Sequence, residues 1–325
     1  MNLLITSVFK NSKLINPRML STGLNIEPRE YQIYTKQQIP NLLKKNGLKF
    51  DARPWLAAAS VLPMRTNNYV AEDLIDWSNV PDDPIFQLVF PQPGMLDPDD
   101  LNHVIDLLGS DISRVQMRDE MEKIRNKMNP HPAGQKALNV PRVNGEDVPG
   151  MQHKYRETAL FFPTEAQYCH SYCTYCFRWA QFTAVGSSQQ FASKDAFQLR
   201  DYLKEHKGIS DLLFTGGDPM VMKADQWQKY IDPILEDPET EHVSTIRIGS
   251  KAVAYWPYRF LTDSDSDDIL RLFEKIVKAG RHVTIMGHYT HYKELETPAA
   301  QEAVRRIRLT GANIRGQSPL IHHVN

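Results

Sequence analysis

Cysteine is scarce in this 325-residue chain: there are three, and all fall within eight positions. An odd number in one short segment argues against a disulfide scaffold. Long apolar runs are missing too, and none approaches the roughly 20 residues that a membrane-spanning helix needs. Neither sign of charge dominates. Lys and Arg number 38 against 39 Asp and Glu, a formal net charge of -1. No basic excess therefore points to a nucleic-acid partner. There is no internal repeat and no low-complexity tract. The opening MNLLITSVFKNSK lacks the basic-then-apolar order of a secretory signal. What remains is ordinary for a soluble globular protein, with 41% hydrophobic and 24% charged residues. The length suits one large domain or two smaller ones.

The three cysteines are Cys169, Cys173 and Cys176, in the segment YCHSYCTYCFRW. Three readings compete. The spacing i, i+4, i+7 marks one face of a helix, and free cysteine is a common core residue. A zinc site of three cysteines and a histidine, with His170 or another, is the second. Zinc sites commonly pair their ligands in two short knuckles, and no second knuckle exists here. The third is a four-iron, four-sulfur cluster, normally held by four thiolates. Three leave one iron open to a ligand that is not protein. In this the segment resembles the radical S-adenosylmethionine (SAM) superfamily, where the amino and carboxylate groups of SAM take the open iron. An aromatic residue usually precedes the third cysteine there, as Tyr175 does here. An exposed cluster needs a reducing compartment, so a cytoplasmic location is expected.

Residues 1–150 read as a helical region with long loops. Apolar residues recur at helical spacing over 98–127. Proline-rich passages at 80–98 and 129–141 are expected to stop helices, the second as a linker. The acidic run TDSDSDD at 262–268 is expected to cap a helix. From about 158 the chain alternates strand and helix. Strands are expected at 159–164, 211–217, 243–250, 282–289 and 312–320. Helices are expected at 191–206, 224–236, 266–279 and 298–310. Such alternation implies a parallel sheet of βαβ units. The fold class is thus α/β, a partial parallel β/α barrel over 151–325 preceded by a mainly helical region over 1–150.

In a parallel barrel the active site lies at the carboxyl ends of the strands. The unusual residues gather there. The cysteines follow the first strand, Gly216-Gly217-Asp218-Pro219 the second, and Gly249-Ser250-Lys251 ends the third. Gly287-His288 ends the fourth, and Gln317 lies near the end of the fifth. Two adjacent glycines let backbone approach a ligand without side-chain obstruction. TGGDP is otherwise ordinary turn chemistry. Radical SAM enzymes use a GGE or GGD turn at this place to hold the methionine amino group.

From about residue 80 onward the chain resembles the lysine 2,3-aminomutase-like branch of that superfamily. The segments DDPIFQLVFP, NPHPAGQ, LFTGGDPMVM, IRIGSKA, GHYTHYKELETP and QSPLIHHVN carry the likeness, with the cysteine loop, in order. The resemblance implies a radical SAM barrel with about five of its six strands present. It implies a 4Fe-4S cluster on Cys169, Cys173 and Cys176, and SAM against Tyr175, Gly216, Gly217, Asp218, His288 and Gln317. Arg178, two residues after the third cysteine, matches the arginine that binds the substrate carboxylate. A guanidinium fork suits that group bidentately, and a structural ion pair is its plainer reading. A side chain at Gly217 is expected to obstruct SAM while leaving the cluster intact. The implied chemistry is a deoxyadenosyl radical that takes a hydrogen from an amino-acid-like substrate. In the family, pyridoxal phosphate (PLP) then carries nitrogen from the α- to the β-carbon.

The departures concern PLP. The family's PLP lysine follows a sixth strand, and neither is found in this chain. Arg156 lies too far upstream to match the family's PLP-binding arginine. Lys251 stands where the family often has arginine, and is either a surface lysine or a Schiff-base anchor. Three alternatives stay open: part of a PLP-dependent aminomutase, a related radical SAM enzyme without PLP, or a metal-binding protein without turnover. The chain by itself is expected to show at most uncoupled cleavage of SAM. The expected partners are a small amino-acid-like substrate and an electron donor such as flavodoxin or ferredoxin. Neither nucleic acid nor membrane is expected, and a homo-oligomer is left open.

Overall fold

In the computed structural model, residues 26–129, 138–143, 145–182 and 191–325 are described. The opening segment and most of the expected linker at 129–141 lie outside them.

The N-terminal region carries β1 (Ile33–Thr35), α1 (Ile39–Lys45), α2 (Arg53–Val61), β2 (Arg65–Asn67), α3 (Pro84–Val89), α4 (Pro98–Leu108) and α5 (Arg114–Met128). β1 and β2 form an antiparallel pair with Tyr34 opposite Thr66. Pro84 and Pro98 start helices here, while Pro81 and Pro91 lie outside them and α3 ends just ahead of Pro91, as expected. Asp83 accepts from the Phe86 amide ahead of Pro84, and Asp97 accepts from the Asp99 amide ahead of Pro98. Proline suits the first helical turn, where its missing N–H has no partner to lose. The apolar stretch 98–127 is two helices. α4 ends at Gly109, and Ser113 begins α5 by accepting from the Gln116 amide.

A short antiparallel pair follows, β3 (Arg142–Val143) with β4 (Glu146–Asp147). The main sheet comprises β5 (Met151–Tyr155), β6 (Thr158–Phe161), β7 (Asp211–Phe214), β8 (Thr245–Ser250), β9 (His282–His288) and β10 (Asn313–Gln317). Its order is β10-β9-β8-β7-β6-β5. β6 to β10 are parallel, and β5 runs antiparallel on the β6 edge. The five expected strands are these five parallel ones. β5 escaped the sequence reading because only Met151 in MQHKY is buried, so it shows no apolar alternation. β10 pairs with β9 alone among the described residues, so the sheet is open at that edge.

The connecting helices are α6 (Ala196–Glu205), α7 (Ala224–Glu236), α8 (Ala252–Tyr255), α9 (Ser266–Lys278) and α10 (Pro298–Leu309). α9 shows why they pack. Ile269, Leu270, Leu272, Phe273 and Ile276 are buried on one face, each contributing about 1.5–3 kcal/mol. α6 starts later than expected. Residues 191–195 stay extended because the Ser193 backbone bonds to Phe162 and Thr164, and Asp195 then caps the helix at the Gln198 amide. The acidic run does not cap α9 through a side-chain bond. Asp265 instead accepts from the Ala224 amide and pairs with Arg259, while Asp263 accepts from the Trp256 indole. One buried apolar cluster runs from Tyr34 and Phe86 through the sheet to Ile307 and Val324. β1, α1 and α3 therefore share the core of the sheet.

Candidate active site

The loop that carries the cysteines follows β6 and packs against the carboxyl ends of β7 and β9. This loop is made of bends and turns from Gln167 to Arg178, so the three cysteines do not form a helical stripe. The N-terminal region holds it in place. The Tyr172 amide donates to the Arg65 carbonyl at 2.8 Å, and the Thr174 amide to the Leu88 carbonyl at 2.8 Å. Thr174 Oγ1 also donates to the Gln87 carbonyl at 2.8 Å. Asn67 is fully buried and joins three segments. Its amide nitrogen donates to the carbonyls of His170 (3.1 Å) and Tyr255 (2.9 Å), and its oxygen accepts from the Val70 amide (3.0 Å). The segments DDPIFQLVFP and MRTNNYV thus supply the loop's supports.

All three thiols are partly buried and unpaired. Burial pushes each of them up. Cys173 reaches about 11, against the pull of the Lys251 ammonium. Cys169 lies well above its ordinary value, raised further by Asp218 and the other two thiols and opposed by Arg65. Cys176 is drawn back by the Arg178 amide and guanidinium. No group of three or more His, Cys, Asp or Glu among the described residues is spaced to hold a single metal ion. A zinc site of three cysteines and a histidine requires such a group, with every ligand on one ion. His170 in particular is buried, and its Nδ1 has no partner.

The TGGDP turn packs directly on the loop's entry. The Gly217 amide donates to the Ala166 carbonyl at 2.9 Å, and the Asp218 amide to the Tyr168 carbonyl at 2.9 Å. A Cβ at Gly217 would lie 2.6 Å from both the nitrogen and the oxygen of Tyr168. Gly216 has φ +139°, and a Cβ there would meet Gln167 Nε2 at 2.7 Å. A side chain at Gly217 therefore collides with the backbone just ahead of Cys169. It would disturb the cysteine loop itself, contrary to the expectation that only SAM would be obstructed. The Asp218 carboxylate is buried and turned inward, accepting from the Met220 and Lys251 amides at 2.9 Å each. It ties the end of β7 to the end of β8.

Lys251 is neither a surface residue nor a free amine. Its ammonium donates to Glu294 (2.8 Å), Thr290 Oγ1 (3.1 Å) and the His288 carbonyl (3.2 Å). It also lies 4.4 Å from the Tyr255 ring centroid. The lysine side chain is 9% exposed and Glu294 is 0% exposed. A nitrogen so engaged does not fit a Schiff-base anchor for PLP. Arg156 sits in the turn between β5 and β6, at the opposite end of β6 from the cysteines.

His288 stacks on Tyr175, with centroids 5.9 Å apart, and its Nδ1 lies 3.1 Å from the tyrosine hydroxyl. That hydroxyl also meets Thr290 Oγ1 at 2.8 Å. Burial first, then the Lys251 charge, lowers His288 to about 4, so the ring is neutral at pH 7. Gln317 pairs in register with His288 across the β9–β10 ladder, and its side chain is exposed. Arg178 makes no described ion pair. Its guanidinium lies 4.5 Å from the Phe162 ring centroid, and one terminal nitrogen is buried without a partner. Arg65 Nε is orphaned in the same way beside the loop. Three thiols with two buried, unanswered guanidinium nitrogens fit a multi-iron cluster and anionic ligands, since buried donors are otherwise satisfied. Sequence reasoning missed Arg65, Asn67 and Tyr255, which carry no local motif, and Glu294, which lies in GHYTHYKELETP without being singled out.

The 4Fe-4S single cluster domain family matches residues 156–303. A putative L-lysine 2,3-aminomutase of Aquifex aeolicus is 34% identical over 179 residues, 55% of this chain and 45% of that protein. The glutamate 2,3-aminomutase of Clostridioides difficile is 26% identical over 232 residues, 71% of this chain and 47% of its own. The L-lysine 2,3-aminomutase of Methanococcus maripaludis is 29% identical over 189 residues, 57% of this chain and 39% of its own. The chain thus matches less than half the length of these relatives. Together with the three-cysteine loop and the turns at the strand ends, these likenesses make the chain similar to the lysine 2,3-aminomutase-like radical SAM proteins over the region that carries the cysteines.

Proposed function

We propose that this chain is the SAM-cleaving part of a radical enzyme acting on an amino acid, built on a partial barrel. The observation that carries this reading is the gathering of three thiols and a buried, unpartnered Arg178 nitrogen on the loop after β6, against the carboxyl ends of β7 and β9. Cys169, Cys173 and Cys176 would hold a 4Fe-4S cluster. When bound, the cluster and SAM together supply a deoxyadenosyl radical able to take hydrogen from carbon.

The chain's own residues bind, orient and exclude water. The Gly216-Gly217 turn fixes the loop's entry and presents backbone to the methionine end of SAM. Neutral His288, held by Tyr175, lines the same end of the sheet and brings no charge into it. Gln317 stands beside it. Arg178, close to Cys176, takes the substrate carboxylate. Its guanidinium lies 4.5 Å from the Phe162 ring centroid and 5.1 Å from that of Phe177 and has one buried, unanswered nitrogen, so a two-pronged carboxylate contact is favourable.

For the reaction we propose the class in the relatives' names, movement of an amino group between the 2- and 3-carbons of an amino acid. Lys251, held by Glu294, does not fit as a PLP anchor, and no step is assigned to that cofactor. A flavodoxin- or ferredoxin-type donor in a reducing compartment is the proposed electron source.

Arg178→Lys separates binding from chemistry. It should retain iron and dithionite-driven release of methionine and deoxyadenosine. Consumption of amino-acid substrate, measured in protein able to turn over, should fall by about 10- to 100-fold, the value of a lost charge-assisted contact. Loss of SAM cleavage in step with turnover would reassign Arg178 to the cluster loop. Failure of the unsubstituted protein to cleave SAM at all would reject the proposed function.

A further inference from the structure

Arg65 belongs to none of the motifs that mark the family, and it comes from β2, about a hundred residues ahead of the cysteines. Its backbone is committed to the loop. The carbonyl accepts from the Tyr172 amide at 2.8 Å and from Ser171 Oγ at 3.2 Å. Its side chain turns to the same place, with the guanidinium carbon 5.1 Å from the ring centroid of Tyr168, the residue before Cys169. No carboxylate pairs with it among the described residues. Its Nε is buried and has no hydrogen-bond partner. The arginine is therefore a cation with a free donor, fixed at both its backbone and its ring contact, beside the first cysteine.

Arg65 as a whole is half-buried, but a buried guanidinium N–H with no acceptor is costly unless something negative lies against it. A 4Fe-4S cluster on three thiolates is such a group, and it gains a further negative charge when reduced. Hydrogen bonds to cluster sulfur and nearby positive charge both favour the reduced form.

We propose that Arg65 is the counter-charge of the cluster: its Nε–H donates to sulfur at the Cys169 corner and makes the cluster easier to reduce. The inference rests on the cluster reading above. Arg65 acts through the cluster and is a positioning residue, not a catalytic one. It gives the N-terminal region an electrostatic part in the reaction as well as a structural one.

The test is an anaerobic, EPR-monitored reductive titration of the reconstituted full chain and its variants. The expected result is a more negative midpoint potential in Arg65→Met, with iron content unchanged and Arg65→Lys falling between. A wild-type potential in an iron-replete Arg65→Met protein would overturn the proposal. Should Arg65→Met hold no iron, Arg65→Gln takes its place, keeping a donor without the charge. A lowered potential there supports the proposal, and an unchanged one overturns it. Loss of iron from all three variants would make Arg65 a packing residue and would also overturn it. Absence of iron from the unsubstituted chain is a different outcome, because it removes the cluster reading itself.

Discussion

Lys251 and Glu294 form a buried ion pair, and its arithmetic is one-sided. Each charge has lost its water, and the pair is sustained by contacts to Thr290 and the His288 carbonyl. Removing one partner leaves the other buried alone, which costs about 3–5 kcal/mol. Lys251→Met and Glu294→Gln should each lower the unfolding free energy by that amount in urea titrations. The double variant should regain much of it. Equal loss in all three would mean that packing, not charge, is at stake. His288 makes a second prediction at this scale. Its folded value of about 4 lies below the ordinary 6.5. Between these values the unfolded chain binds a proton that the folded chain does not. Stability from this group is therefore present above about pH 6.5 and is lost as pH falls toward 4. The slope of unfolding free energy against pH in that window should flatten in His288→Gln. An unchanged slope would place the effect elsewhere.

The cysteine loop is held between two elements, and each was legible to a different degree. β6 to β9 could be read because each is a short, largely apolar run ended by glycine or a turn, whereas β10 (NIRGQ) is polar and exposed. The helices between them show one-sided apolar spacing. Lys251 looked like a surface residue because its partner is 43 positions away and reaches it only through the fold. Arg65 and Asn67 were invisible for the same reason: their partners at the loop lie a hundred residues on. The acidic run at 262–268 carried a true helix-start signal, yet Arg259 and the Ala224 amide compete for Asp265 and win. Gly217 was recognised, but its close approach to the Tyr168 backbone was not. Because its Cβ would overlap the Tyr168 backbone, Gly217→Ala should cost about 1–3 kcal/mol by overpacking. It should also lower iron content together with SAM affinity. Full iron with weakened SAM binding would restore the simpler view that the turn touches only SAM.

At the scale of the molecule, β1, α1 and α3 share a core with the sheet, while α2, α4 and α5 pack around a second cluster, and the site lies where the N-terminal region meets the sheet. The sheet gives direction, since parallel strands bring Ser250, Gly287, His288 and Gln317 to one level. The N-terminal region gives the loop its shape through Arg65, Asn67 and the end of α3. The central claim is that Cys169, Cys173 and Cys176 hold a four-iron cluster with one iron open to SAM. Iron analysis combined with EPR of the reduced protein, with and without SAM, tests it most directly. The account predicts about four irons per chain, a spectrum that changes when SAM is added, and loss of both in Cys173→Ala. One zinc per chain with no iron, or a cluster spectrum indifferent to SAM, would contradict it.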